Sequence, residues 1–116
     1  MRWIGNAAAQ GHAAAQFELG SYYTLEPHRD FGRAARLLRQ SALQGFAPAQ
    51  SSLALLYLAG AGVPVDRVEA CTWLLLAAEQ GERDARDLAP GVQSDLSDAE
   101  RDQARDRALR HRQGPL

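Results

Sequence analysis

Three histidines and one cysteine are the residues of this chain whose side chains could most readily do chemistry. His12, His28 and His111 lie far apart, and none stands four residues from another histidine beside a carboxylate, as in a helical zinc site. We therefore expect no metal ion and interpret each histidine as an exposed or capping residue. Cys71 has no histidine next to it in sequence, so it is interpreted as a small, partly buried apolar residue rather than a reactive thiol.

The segment Gly60-x-Gly62 is a further candidate for chemistry, because closely spaced glycines can cradle a phosphate group. It follows a predicted helix, however, and lacks both the strand and the spacing of a phosphate-binding loop. We interpret it as the turn that ends that helix. Since the sequence also has no nucleophile motif, we predict no cofactor and no catalytic residue, and we do not expect an enzyme.

Composition argues against several other classes of protein. The 13 basic residues, all arginine, and 14 acidic residues nearly cancel, which gives no electrostatic reason to expect nucleic acid as a partner. No apolar stretch is long enough to insert in a membrane, and the first 16 residues do not have the pattern of a secretory signal. A single cysteine forms no intrachain disulfide, so we predict a cytoplasmic location, or a periplasmic one if a signal peptide precedes Met1.

The elements that carry these residues repeat along the chain. The motif Ala15-Gln16-x-x-Leu19-x-x-x-Tyr23 recurs 34 residues later, from Ala49 to Tyr57. Beyond the next loop the offset is 36, so that Asp30 aligns with Asp66 and Leu37 with Trp73. Periods in this range are typical of arrays of helix pairs, in which each unit buries its apolar face against its neighbours.

Apolar spacing predicts helices over 12–23, 30–44 and 66–80, and a further helix with Pro48 in its first turn. We expect Asp66 to cap its helix, with Glu69 completing a capping-box-like pair. Leu37 and Trp73 are predicted to fill the space between paired helices, while alanines let those helices approach closely.

The flanks of this region predict less regular elements. Residues 2–10 align with the end of a second helix, and a helix beginning at Ala85 is expected to stop at Pro90-Gly91. A capping box from Ser97 to Glu100 then opens a charged helix to about Arg112. The residues expected to seal the array are Leu96, Ala99, Ala104, Ala108 and Leu109.

The combined pattern resembles the Sel1-like repeat, a relative of the tetratricopeptide repeat. Ala49 to Gly81 has nearly every landmark of that repeat, whereas His12 to Gly45 lacks the glycine loop and has Leu37 in place of tryptophan. The resemblance implies an all-α, right-handed α-solenoid of antiparallel helix pairs with a C-terminal capping helix. We predict a single domain, 1–116, composed of a half repeat (2–11), a degenerate repeat (12–45), a full repeat (46–81), a partial repeat plus capping helix (82–112) and a tail (113–116).

For function, the resemblance implies a non-catalytic scaffold that binds an unidentified protein or peptide on the concave face of its first helices. The predicted partner-binding residues are Glu18, Tyr22, Ser52, Leu55 and Leu56. The alternative is a structural C-terminal fragment of a longer array that self-associates, as a homo-oligomer, through its uncovered N-terminal end at Trp3 and Ile4. Some Sel1-like proteins with a disulfide in each repeat are linked to β-lactam binding or hydrolysis, but the single Cys71 departs from that pattern.

Leu75 and Leu76 raise a separate question, because the aligned residues of the earlier repeat are Arg39 and Gln40. Two interpretations remain open. The closing helix or its preceding loop covers the two leucines, or they form a patch that binds a partner.

Overall fold

The computed structural model describes the backbone of residues 2–113 and the side chains of residues 4–112. This part of the chain is all helical, without strands, as the sequence predicts. Its seven helices are α1 (Arg2–Ala9), α2 (Ala13–Tyr22), α3 (Phe31–Leu43), α4 (Ala47–Ala59), α5 (Arg67–Glu79), α6 (Arg83–Ser94) and α7 (Asp98–Gln113).

Aspartates start the second helix of each pair. The Oδ1 atoms of Asp30 and Asp66 accept hydrogen bonds from the backbone N–H groups of residues 33 and 69, at 3.1 and 3.0 Å. These bonds satisfy donors that the first turn of a helix leaves free. The prediction that Glu69 completes a capping-box-like pair with Asp66 is wrong. The Glu69 carboxylate instead pairs with Arg107, at 3.0 Å.

The helices stack as antiparallel pairs in a solenoid. Helix α2 packs against α3 and α4 against α5, and the second helix of each pair also packs against the first helix of the next. Helix α1 meets α2 in the same way. Fully buried alanines, among them Ala34, Ala49, Ala70 and Ala77, let the helix axes approach closely. The result is one continuous apolar core from α3 to α7.

A buried glutamine joins three helices in each repeat. The Gln50 amide nitrogen donates to the carbonyl oxygen of Ala42 in α3 at 3.2 Å, and its side-chain oxygen accepts from Gln80, after α5, at 3.1 Å. Gln16 makes the equivalent two bonds one repeat earlier, at 3.3 and 2.6 Å. Because a buried amide without partners would be costly, these bonds explain why the Ala-Gln motif recurs.

Helix α6 differs from the prediction that it stops at Pro90. It continues to Ser94 with Pro90 inside it. Proline cannot donate to the carbonyl of residue 86, and its presence in a helix interior costs about 3 kcal/mol. Ala89 and Val92, on either side of the proline, are buried in the core, and this packing offsets the cost.

Helix α7 begins as predicted, but it packs on α5 rather than on α6, the helix that precedes it in the sequence. The Ser97 Oγ accepts from the Glu100 N–H at 3.1 Å, and the Glu100 carboxylate accepts from the Ser97 N–H at 2.9 Å, which completes the capping box. The helix then lies mainly against α5, with very few contacts to α6. Ala104 and Ala108 are fully buried there.

The predicted seal is therefore partly correct. Leu96 is buried like the two alanines of α7, but Ala99 and Leu109 are exposed. Leu76 is only 6% exposed and is therefore covered, whereas Leu75 packs half-buried against the core. Leu76 lines a cavity together with His111 and Arg112 of the closing helix.

Candidate partner-binding face

The first helices α2 and α4 are in contact with each other and share one solvent-facing surface. On α4 the positions with solvent access recur at helical spacing, at Pro48, Ser52, Leu55 and Ala59. The aligned positions of α2 are Ala14, Glu18 and Ser21, which are exposed or half-buried. We call these seven positions the first-helix face.

The first-helix face is nearly free of charge. Helix α4 contains no charged residue, and Glu18 is the single charged residue of α2. Helix α6, the next first helix, exposes Arg83, Asp84, Arg86 and Asp87. Depletion of charge distinguishes the centre of a protein interface from the remaining surface. The first-helix face is therefore uncharged apart from Glu18, and charged residues reappear on α6.

The structure places the predicted binding residues in different surroundings. Glu18 is exposed, Ser52 is half-buried, and Leu55 is 46% exposed, so all three offer surface on the first-helix face. Leu56 departs from the prediction, because it is only 7% exposed and belongs to the core. It can offer little surface to a partner.

Tyr22 is half-buried within an aromatic cluster at the end of α2. Its ring stacks on His28, with centroids 4.9 Å apart and planes 20° apart, and meets the edge of Tyr23 at 5.4 Å. Leu25, which the sequence interpretation passed over, is 62% exposed just beyond this cluster. Its alignment with Ala59 of the first-helix face is the signal that could have identified it.

The predicted self-association site is only partly described. Ile4 is half-buried in α1, whereas the side chain of Trp3 lies outside the described residues. Self-association through these two residues therefore stays a prediction from the sequence.

The side chains that could bind a metal ion or act as nucleophiles do not cluster in the part of the chain that the structure describes. Between residues 2 and 113, no three His, Cys, Asp or Glu side chains are placed to hold a metal ion. His12 is exposed before α2, and His111 lies 4.7 Å from the Trp73 ring, measured between centroids. Cys71 is fully rather than partly buried. Burial raises the pKa of its thiol, and the charge of Arg105 opposes this only in part, so the thiol stays protonated at neutral pH.

None of the described helices combines the length and the apolar character needed to cross a bilayer.

Two solved structures are similar to the whole described architecture. A protective antigen of uropathogenic Escherichia coli strains, c5321, which displays an SLR fold, superposes with a TM-score of 0.91 and 29% identity. The match covers 97% of this chain and 25% of that protein. A Sel1 repeat protein from Oxalobacter formigenes gives a TM-score of 0.73 and 34% identity, over 94% of this chain and 34% of that one.

Sequence comparison points in the same direction. An uncharacterized protein of Neisseria meningitidis serogroup B, NMB1327, is 35% identical over 81 residues, which cover 70% of this chain and 17% of the relative. The chain thus spans about a sixth of this relative's length. The family model for the Sel1 repeat matches twice in succession, at residues 13–46 and 47–82. These matches take in the α2–α3 and α4–α5 pairs, and the chain therefore belongs to the Sel1 repeat family.

Proposed function

We propose that this chain is a non-catalytic interaction module that binds a segment of a protein partner on the first-helix face. Sel1 repeat proteins generally mediate protein–protein interactions. The observation that supports this particular face is Leu55, a leucine left 46% exposed on a helix without charge. An exposed apolar side chain in uncharged surroundings favours contact with another protein over contact with water.

The composition of the face also bears on the kind of partner. Neither α2 nor α4 carries an arginine, so the face offers no cation to the phosphates of a nucleic acid. Enzymatic chemistry would need a nucleophile with a base or a metal nearby. The first-helix face instead offers one carboxylate, a few hydroxyl groups and apolar surface, which suit a polypeptide.

Recognition would depend on three groups of the first-helix face. Leu55 provides an apolar contact for one side chain of the partner, and Ser52 provides a hydroxyl group for the partner's backbone. Glu18, one repeat earlier, provides a carboxylate for a basic side chain. The proposed ligand is therefore a segment that carries an apolar residue and, at some distance, a lysine or arginine.

The test selects peptides from a random display library on the immobilised full chain and measures their affinities by anisotropy. We expect Leu55→Glu to weaken binding about tenfold or more, as for a residue at the centre of an interface. Glu18→Arg should selectively weaken peptides that contain a basic residue. Leu109→Glu is the matched control, because Leu109 is a leucine of similar exposure, 44%, on α7.

Equal losses of affinity for Leu55→Glu and Leu109→Glu would contradict the proposal, since they would indicate a general effect of added charge. Selected peptides that bind both variants as tightly as the natural chain would contradict it as well.

Self-association through Trp3 and Ile4 is a separate prediction with its own measurement. Light scattering at rising concentration of the full chain detects it, and a monomer at high concentration contradicts it. The cytoplasmic location likewise stays a prediction from the sequence.

A further inference from the structure

Helix α7 occupies a seat on the outer face of α5. Arg107 pairs with Glu69 at 3.0 Å, Arg112 pairs with Glu79 at 2.6 Å, and His111 lies over Trp73. Between these contacts, Thr72 and Leu76 of α5 are buried, as are two alanines of α7. These contacts define how an additional helix packs on the second helix of a repeat in this fold.

Among the described residues, no helix packs on the equivalent face of α3 as α7 packs on α5. The repeat offset of 36 pairs the α5 residues at the seat with residues of α3. Leu37, in the place of Trp73, is half-buried rather than fully buried. The other positions are all exposed on α3, where Arg33, Arg36, Gln40 and Leu43 stand in the places of Glu69, Thr72, Leu76 and Glu79.

An open groove lies along this face. Two adjoining cavities, of about 230 and 480 Å³, share Leu19, Leu37 and Gln40 and together run between α1, α2 and α3. The equivalent cavity at α5 has a volume of about 290 Å³, and His111 and Arg112 of α7 form part of its wall. We call the open counterpart the α3 groove.

The charge of the α3 groove is the reverse of that at the α7 seat. Glu69 offers a carboxylate to α7, whereas Arg33 and Arg36 line the α3 groove. Within the described residues Arg36 has no carboxylate within 4.0 Å, and Arg33 pairs with Asp30 at 3.4 Å while its side chain stays 61% exposed. A helix bound in the α3 groove would need an acidic residue at the position that corresponds to Arg107 of α7. The reason is that Arg33 stands there in the place of Glu69, and opposite charges must face each other.

We propose that the α3 groove binds an acidic amphipathic helix of a partner protein, in the manner in which α7 lies on α5. The partner helix places small apolar residues over Leu19 and Leu37, as α7 places alanines against α5. Its acidic residues meet Arg33 and Arg36. This second docking surface is formed by the outer side of α3, and it is independent of the first-helix face.

The probe is a peptide with the 16 residues of α7 in which Arg107 is replaced by glutamate. A hydrocarbon cross-link between positions 106 and 110, both exposed in α7, keeps it helical, since short isolated helices are marginal in water. With this cross-link the peptide carries more acidic than basic side chains. Anisotropy titrations with the full chain should show saturable binding. The peptide with Arg107 retained should bind at least tenfold more weakly, a comparison that requires no variant of the chain.

Two variants of the chain locate the site. Arg33→Glu and Arg36→Glu should each weaken binding of the glutamate peptide about tenfold, and the loss should diminish as salt is added. Arg83→Glu and Arg86→Glu change exposed arginines of α6 and are the matched controls. They should leave the affinity unchanged, and far-UV circular dichroism confirms that every variant is folded.

Several results would overturn the proposal. The glutamate peptide fails to bind at low salt, or it binds no better than the arginine peptide, or the α6 controls lose as much affinity as the α3 variants. Equal competition by polyglutamate or by a single-stranded RNA would identify a general anion-binding surface. A dimer that Arg36→Glu dissociates in light scattering would identify a second copy of the chain as the occupant.

Discussion

Glu82 is a residue at which two successive repeats are joined through one side chain. It caps α6, where its carboxylate accepts from the backbone N–H groups of Asp84 and Ala85 at 2.9 and 3.1 Å. It also accepts from the hydroxyl group of Ser51 in α4. Burial opposes ionisation of this carboxyl, but the bonds from Ser51 and from the backbone of residues 84, 85 and 83 outweigh it and lower the pKa of Glu82.

This lowered pKa makes the contribution of Glu82 to stability depend on pH. A carboxyl with a lower pKa in the folded state stabilises the fold above its unfolded pKa, about 4.3, and loses that effect as pH falls through the folded value. We expect Glu82→Gln to lower the free energy of unfolding by about 0.5–2 kcal/mol at pH 7, the range for loss of a helix cap. Urea titrations from pH 7 to pH 3 should show the difference shrinking below about pH 4.

Glu18→Gln is the control for this experiment, because Glu18 is exposed at the surface of α2. Its free energy of unfolding should match that of the natural chain at every pH. A difference between Glu82→Gln and the natural chain that stays constant across this range would contradict the role assigned to the ionised carboxylate.

The roles of some residues depend on near neighbours in the chain and can be predicted from the sequence. Asp66 caps the helix that begins one residue later, so its role follows from local pattern. Glu82 escaped notice because its partner Ser51 stands 31 residues earlier. Leu56 aligns with Tyr22, but that position is half-buried in one repeat and buried in the other, so the alignment does not predict how much surface Leu56 offers.

At the scale of elements, the loop between α4 and α5 shows how one repeat fixes the position of the next. Gly62 lies in this loop with φ +76°, and a Cβ atom added there would overlap the carbonyl oxygen of Phe31, the first residue of α3. The loop backbone therefore rests directly on the backbone of the preceding repeat. Glycine is required both for its conformation and for this close approach.

A pair of glycine variants separates these two requirements. Gly45 has φ +86° but open space around it, so Gly45→Ala should cost about 1–2 kcal/mol from backbone strain alone. Gly62→Ala should cost about 1–3 kcal/mol more, because the backbone of α3 must shift. Urea denaturation of both variants measures the difference. Equal costs would show that the loop moves freely away from α3.

Most elements could be predicted because their apolar residues recur at helical spacing between clear caps. Helices α2, α3 and α5 lie within the predicted ranges for this reason, and α4 has Pro48 in its first turn as predicted. The end of α6 could not be predicted, since Pro90 is a local signal to stop and the burial of Val92 that overrides it depends on tertiary packing. The open α3 groove was missed as well, because it becomes visible only once α7 is seen to cover the equivalent face of α5.

At the scale of the whole molecule, stability in a solenoid comes from contacts between neighbouring elements. Helix α7 adds one such contact out of sequence order, since it lies on α5 rather than pairing with α6. The sequence predicts a charged closing helix with buried alanines, but the alanines fit any apolar surface of similar size. Its position on α5 is specified by long-range contacts, among them Arg107 with Glu69 and His111 with Trp73.

Removal of α7 tests whether the helix is needed to bury the core or only adds contacts at its surface. Trp73 is 1% exposed, and Leu76 is 6% exposed. In a Trp3→Phe background, which leaves Trp73 as the single tryptophan, deletion of residues 97–113 should shift its fluorescence emission to longer wavelength. The stability should fall by on the order of 3–5 kcal/mol, the value of one or two large buried side chains.

Replacing Arg107 and Arg112 by alanine should cost only about 0.2–1 kcal/mol for each pair, because both pairs are partly exposed. If the double arginine variant loses as much stability as the deletion, charge rather than apolar burial holds α7 in place, and the small-residue contacts expected of a helix in the α3 groove lose their support.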